Sequence, residues 1–177
     1  MNRAYSILAV KGITEGDQRI IRGVATSPQA DRMGDVVDPL GVNFKNPMPL
    51  LHQHDAEKPV GTVRFDKPTK DGITFEARLP TIAEPGPLKD RVDMAWREVK
   101  AGLVKAVSIG FRALESAFIE GGNGIRFIES EVLELSLVTI PANAGATITG
   151  LKPTGTSIRA PTGNADEAAA SPKPPGV

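Results

Sequence analysis

The sequence predicts a mostly β, α+β fold: an antiparallel barrel with one or more flanking helices. Three observations predict it. Apolar residues recur at every second position in several short runs, the period of a strand with one buried face. Glycine-rich and Asp-Gly turns separate those runs. One stretch alone, beginning at Pro87, carries the longer period of an amphipathic helix. About seven short strands and one helix result, which fits a barrel or folded sheet with a helix packed on it.

Composition bounds the rest. The chain has 177 residues, 24% charged and 40% hydrophobic, which suits one domain with a modest core. We expect that domain over residues 1–150 and a disordered Pro/Ala-rich tail over 151–177, where no apolar periodicity survives. The 21 basic and 21 acidic residues cancel, so no electrostatic argument favours nucleic acid or an acidic membrane as partner. Cysteine is absent, which excludes disulfides, a cysteine nucleophile and thiolate-bound zinc. No apolar run approaches the roughly 18 residues of a membrane helix. The N-terminus lacks the pattern of a signal peptide, so a cytoplasmic protein is expected.

The elements follow in order. Ile7 to Val10, the Gly16-Asp17 turn and Gln18 to Thr26 predict an N-terminal hairpin. Residues 27–49 are dense in turn formers and predict a long loop of the kind that often carries function. Leu50 to Asp55 precede a strand at Pro59–Phe65. The Lys67–Gly72 turn leads to Ile73–Leu79, whose alternation predicts an antiparallel partner. Pro87 suits a first helical position. Leu88, Val92, Ala95, Trp96, Val99 and Leu103 then mark one helix face, Lys89, Asp90, Asp93, Arg97, Glu98 and Lys100 the other, and Gly102 the C′ position. A strand across residues 104–112 puts Val107, Ile109 and Phe111 on one face and Ser108 and Gly110 on the other. After the turn at Glu120–Gly124 come strands at Ile125–Glu129 and Glu131–Ile140. In the second, Leu133, Leu135 and Leu137 share one face, and Glu134, Ser136 and Val138 the other.

Ser108 beside Gly110 offers a hydroxyl with room for a substrate. A serine hydrolase also needs a base and a group to hold it. His54, in a polar turn before a strand, is the candidate base. Glu134 is the candidate third group. If both apolar rows face one interior, Ser108 and Glu134 face outward together. Each has a plainer reading: a strand serine beneath a neighbouring element, a surface histidine, a solvated carboxylate. Ser136 is a rival serine with no glycine beside it. A metal reading also stays open. His52 and His54 at i and i+2, followed by Asp55, would share a strand face. Against it, no third histidine and no H-E-x-x-H pattern exist.

Five motifs, in order and spacing, resemble the prohead (procapsid maturation) proteases of tailed bacteriophages. They are Gly23-Val24-Ala25; the loop from Asp31 through Gly34-Asp35-Val36-Val37; Leu51-His52-Gln53-His54-Asp55 followed by Pro59-Val60-Gly61; Val107-Ser108-Ile109-Gly110-Phe111; and Glu134-Leu135-Ser136-Leu137-Val138 with Pro141-Ala142-Asn143. The resemblance covers about residues 18–149. It implies a serine endopeptidase with a fold similar to herpesvirus assemblin. Ser108 would be the nucleophile, His54 the base and Glu134 the third member. Leu135 stands where the family usually has Val. His52 stands where the family usually has an apolar or aromatic residue, and takes no role. Backbone N–H groups near Gly110 and the Asn143 amide would serve the oxyanion. The resemblance further implies that the enzyme works inside the prohead in the bacterial host cytoplasm. Its substrates would be scaffold and major capsid protein segments, and its own tail. A homodimer is expected by analogy to assemblin; no metal, cofactor, nucleic acid or membrane is. Two other classes stay open: a non-catalytic capsid scaffold or assembly protein, and a metal-dependent hydrolase using His52 and His54.

Overall fold

The structure, a computed structural model, describes residues 10–14 and 19–140. Its elements are β1 (Val10–Thr14), β2 (Arg19–Thr26), β3 (Val36–Val37), β4 (Val42–Asn43), β5 (Met48–His52), β6 (Asp55–Phe65), β7 (Ile73–Leu79), α1 (Pro87–Lys100), β8 (Ala106–Phe118) and β9 (Ile125–Val138). All nine strands form one sheet in the order β1-β2-β7-β6-β5-β9-β3, with β4 and β8 also paired to β9. The sheet curls around the core as a half-barrel. The tail at 151–177 and Asn143 lie outside the described residues, as do Ile7 to Ala9 of the N-terminal hairpin.

β9 is the hub. It pairs antiparallel with β8 and parallel with β3, β4 and β5. Sequence alternation predicts two strands here and none of the parallel pairings. Irregularities in the β8–β9 ladder at Gly110/Phe111 and around Glu115 break the alternation that marks a continuous strand. β3 and β4 have two residues each and lie inside the expected loop at 27–49. A two-residue strand has no period to read. The same loop is fixed by carboxylates. Asp31 accepts from the Met33 and Asp35 backbone, and Asp35 accepts from Ile125 N at the start of β9. The acidic motif there is thus structural.

The core collects Val107, Ile109, Phe111, Val132, Leu135 and Leu137 with apolar residues of β2, β5, β6 and β7. α1 contributes Val92, Ala95, Trp96 and Val99. Leu88 and Leu103, expected on that helix face, are exposed because they lie at its two ends. Asp93, expected on the polar face, is only 8% exposed. It is held between Arg19 (2.6 Å) and Lys89 (2.7 Å), with Arg19 stacked over Trp96. Those two cations hold its carboxyl down at about 2, Lys89 contributing most. Gly102 ends the helix at φ 69°, a conformation glycine adopts without a Cβ penalty. Among the described residues no helix is long and apolar enough to cross a membrane.

Leu133 departs from the expected row. The ladder pairs Gly110 with Glu134 and then Phe111 with Val132. Leu133 is therefore the extra residue of a β-bulge. It turns outward at 42% exposure, while Val132 takes its place in the core.

Candidate active site

The ladder between β8 and β9 sets the frame. Ser108 lies opposite Ser136, and Gly110 opposite Glu134. Residues directly opposite in an antiparallel pair point to the same side, so these four share one face, away from the Val107/Ile109/Phe111 core. Glycine at 110 leaves the Glu134 carboxylate its place: a Cβ there would overlap it, and Glu134 would have to move.

His54 enters from the β5–β6 hairpin. Gln53 and His54 form its two-residue turn, with φ of 55° and 57°. Such turns need the left-handed region at both positions and usually take Asn-Gly. Here neither residue is glycine, and strain of this kind costs on the order of 1–3 kcal/mol per residue. Hydrogen bonds to β9 and the residue after it hold the turn in place. Gln53 N donates to Leu137 O at 2.9 Å, and Gln53 Nε2 to Thr139 Oγ1 at 2.7 Å. His54 N donates to Ser136 Oγ at 3.1 Å.

The imidazole then meets Glu134: His54 Nδ1 lies 2.7 Å from Glu134 Oε1. An ionised carboxylate can only accept, so Nδ1 carries the hydrogen, and in the neutral ring Nε2 holds the lone pair. The second carboxylate oxygen, Oε2, accepts from Ser136 Oγ at 2.7 Å. Ser136, read from sequence as a rival serine, is thus spent on holding both Glu134 and the His54 backbone. Both His54 and Glu134 are mostly buried, with side-chain exposures of 10% and 14%. Low local dielectric strengthens such a pair.

Ser108 is 0% exposed, and its Oγ makes no hydrogen bond. A buried hydroxyl without a partner costs about 1–3 kcal/mol and calls for an explanation. Thr26 and Ser130 are in the same state, so burial alone does not single out Ser108. Its neighbours do: the residue opposite holds the carboxylate that holds an imidazole. Gly110 stands beside this group, two residues along β8.

His52 goes elsewhere. β5 ends at His52, and the tight turn sends its side chain to α1, where Nε2 lies 2.8 Å from Glu98 Oε2. The two imidazoles therefore bind different carboxylates and form no common ligand pair. Among the described residues no group of three His, Asp or Glu side chains could hold a metal.

Gln53 and Thr139, which fix the turn, carry no signal in the sequence. A glutamine in the left-handed region looks like any loop glutamine.

Comparisons with known proteins bear on the family that the motifs resemble. Residues 41–158 match the family described as caudovirus prohead serine protease. The chain is 51% identical over 151 residues to the "Capsid polyprotein" of Pseudomonas phage PAJU2, covering 85% of this chain. It is 30% identical over 135 residues to the "Prohead protease" of Escherichia phage T5, covering 72% of this chain. The matched regions span 22% and 60% of those two relatives' lengths. The chain belongs to the caudovirus prohead serine protease family.

Proposed function

We propose that this chain is the serine endopeptidase of a tailed-phage prohead, with Ser108 as nucleophile, His54 as general base and Glu134 as the group that orients the base. The observation that carries the reading is the 2.7 Å contact of His54 Nδ1 with Glu134 Oε1, on the face that Ser108 shares. With Nδ1 engaged by Glu134, Nε2 is the ring nitrogen to which this reading gives the base work.

Ser108 Oγ attacks the substrate's peptide carbonyl, and its proton passes to His54 Nε2. The imidazolium so formed is stabilised by Glu134. Collapse of the tetrahedral intermediate breaks the C–N bond, and the leaving amine takes the proton from Nε2. Water, deprotonated by the same nitrogen, then hydrolyses the acyl-enzyme. General base assistance typically contributes on the order of 10²–10⁴-fold. Backbone N–H groups near Gly110 and the Asn143 amide are the donors we assign to the oxyanion. Because Ser108 is fully buried, substrate reaches it only when whatever covers that face of β8 moves aside.

The substrates in this reading are scaffold and major capsid protein segments, cut inside the prohead in the host cytoplasm, and the chain's own 151–177 segment. One relative's name, "Capsid polyprotein", supports the capsid side of it. A homodimer belongs to the same reading by analogy to assemblin, and light scattering of the purified chain tests it. The activity is tested by an intact-mass time course of the wild type beside Ser108→Ala, each with and without a chelator. Trimming by the wild type alone, indifferent to chelator, is the expected result. Trimming that survives Ser108→Ala would remove the nucleophile, and trimming stopped by chelator would point to a metal.

A further inference from the structure

A cavity of about 460 Å³ opens beside His54, Glu134 and Gly110. Its size falls within the roughly 300–1,000 Å³ of ordinary ligand pockets. Among the described residues, the remaining walls are Pro49, Leu51, Ala56, Pro59, Phe111 and Leu133, all apolar. Among the described residues, the charged or titratable groups in its lining are His54 and Glu134, and these are bound to each other. Glu134's second oxygen is taken by Ser136. A glutamate side chain entering here would lose its hydration beside a carboxylate of like charge, and a lysine would lose its hydration and have to share Glu134 with His54 and Ser136. An apolar side chain would exchange water for apolar walls.

The bulge on β9 builds one of those walls. Without the extra residue Leu133 would follow the strand alternation into the core. With it, Leu133 stands outward next to Glu134, at the cavity. An outward leucine beside a catalytic carboxylate has no role in the core, and bulges commonly re-aim a side chain next to a site.

We propose that this cavity is the subsite for one apolar side chain of the substrate polypeptide, and that it sets the preference for where the chain is cut. The proposal rests on the serine-protease reading of the neighbouring residues. It names what that reading leaves open, the class of side chain beside the scissile bond.

The test separates binding from catalysis. The full chain carrying Ser108→Ala is titrated, with NMR detection, with capped pentapeptides Ala-Ala-X-Ala-Ala in which X is Leu, Lys or Glu. The leucine peptide is expected to bind at least about tenfold tighter than either charged one, the scale of discrimination an apolar pocket supplies. Ala56→Trp, which fills the cavity from an exposed position, and Leu133→Ser, which removes an exposed apolar wall, are each expected to cut that preference to below about threefold. Equal binding of the three peptides, no binding of any, or a preference that survives both substitutions would overturn the proposal. Hydrolysis by the wild type is scored separately. If it fails while the leucine preference holds, the protease reading is lost and the pocket remains. If it succeeds while the preference is absent, the pocket is lost and the protease remains.

Discussion

Gly110 and Glu134 face each other across the β8–β9 ladder with no space for a side chain on the glycine. From sequence alone, Gly110 offers room for a substrate. In the structure the room is already occupied, by the carboxylate that binds His54.

Gly110→Ala follows directly. The added methyl meets the far end of a flexible side chain, so the fold adjusts by moving Glu134. We expect peptide turnover to fall about 10²-fold, the scale of an ångström-sized misplacement in an active site. Thermal melting should move by only a few degrees. A large loss of melting temperature with normal turnover would contradict this.

Glu134→Gln keeps the shape and changes the hydrogen bonding. The amide can offer N–H to Nδ1 and favour the wrong tautomer. Turnover should fall on the order of 10³–10⁴-fold with substrate binding little changed, as for carboxylate-to-amide changes in serine protease triads. Separate kcat and KM values check it.

Ser136→Ala removes an acceptor from the His54 N–H and a donor from Glu134. We expect a stability loss of about 1–3 kcal/mol from the groups left unpaired. The expected kinetic signature is lower kcat with KM held, restored by Ser136→Thr, which keeps the hydroxyl. Complete loss of turnover in Ser136→Ala, with activity surviving in Ser108→Ala, would exchange the two serines' roles.

His52→Gln and His54→Gln should part company. His52 is tied to Glu98 on α1, so its loss costs some stability and leaves turnover within a few-fold of wild type. His54→Gln should abolish turnover. Equal loss in both, accompanied by chelator sensitivity, would favour the metal reading.

Asp93 supplies a pH signature. Its carboxyl sits at about 2, below the ordinary 3.8, because Lys89 and Arg19 favour the charged form. A depressed carboxylate stabilises the fold above its unfolded value and loses that contribution as pH falls through the folded one. Stability should therefore decline between about pH 4 and pH 2. Asp93→Asn should flatten that part of the acid limb, which denaturant titrations at several pH values measure.

Much of this was legible in the sequence, and the failures have causes. The strand alternation at Val107, Ile109 and Phe111 gave the core face correctly, and with it the face of Ser108. The period of α1 gave Val92, Ala95, Trp96 and Val99. Alternation cannot report a bulge, so it puts Leu133 in the row of Leu135 and Leu137 and hides the apolar wall beside Glu134. It also cannot report parallel pairing: β3, β4 and β5 pair with β9 across 85 to 90 residues of sequence, as with His54 N and Ser136 at 82. The helical period puts Asp93 on the polar face, because its partner Arg19 lies 74 residues away on β2. Ser136 read as a competitor to Ser108 because residue type does not show where a hydroxyl's hydrogen bonds go.

In the proposed mechanism Ser108 is the nucleophile and His54 activates it. Covalent trapping tests it most directly. Wild type, His54→Ala and Ser136→Ala proteins are treated with a small fluorophosphonate, and the adduct is mapped by peptide mass spectrometry. The account predicts one adduct, on Ser108, formed by the wild type and by Ser136→Ala and nearly absent in His54→Ala. An adduct on Ser136, or labelling of Ser108 that ignores the loss of His54, would contradict it.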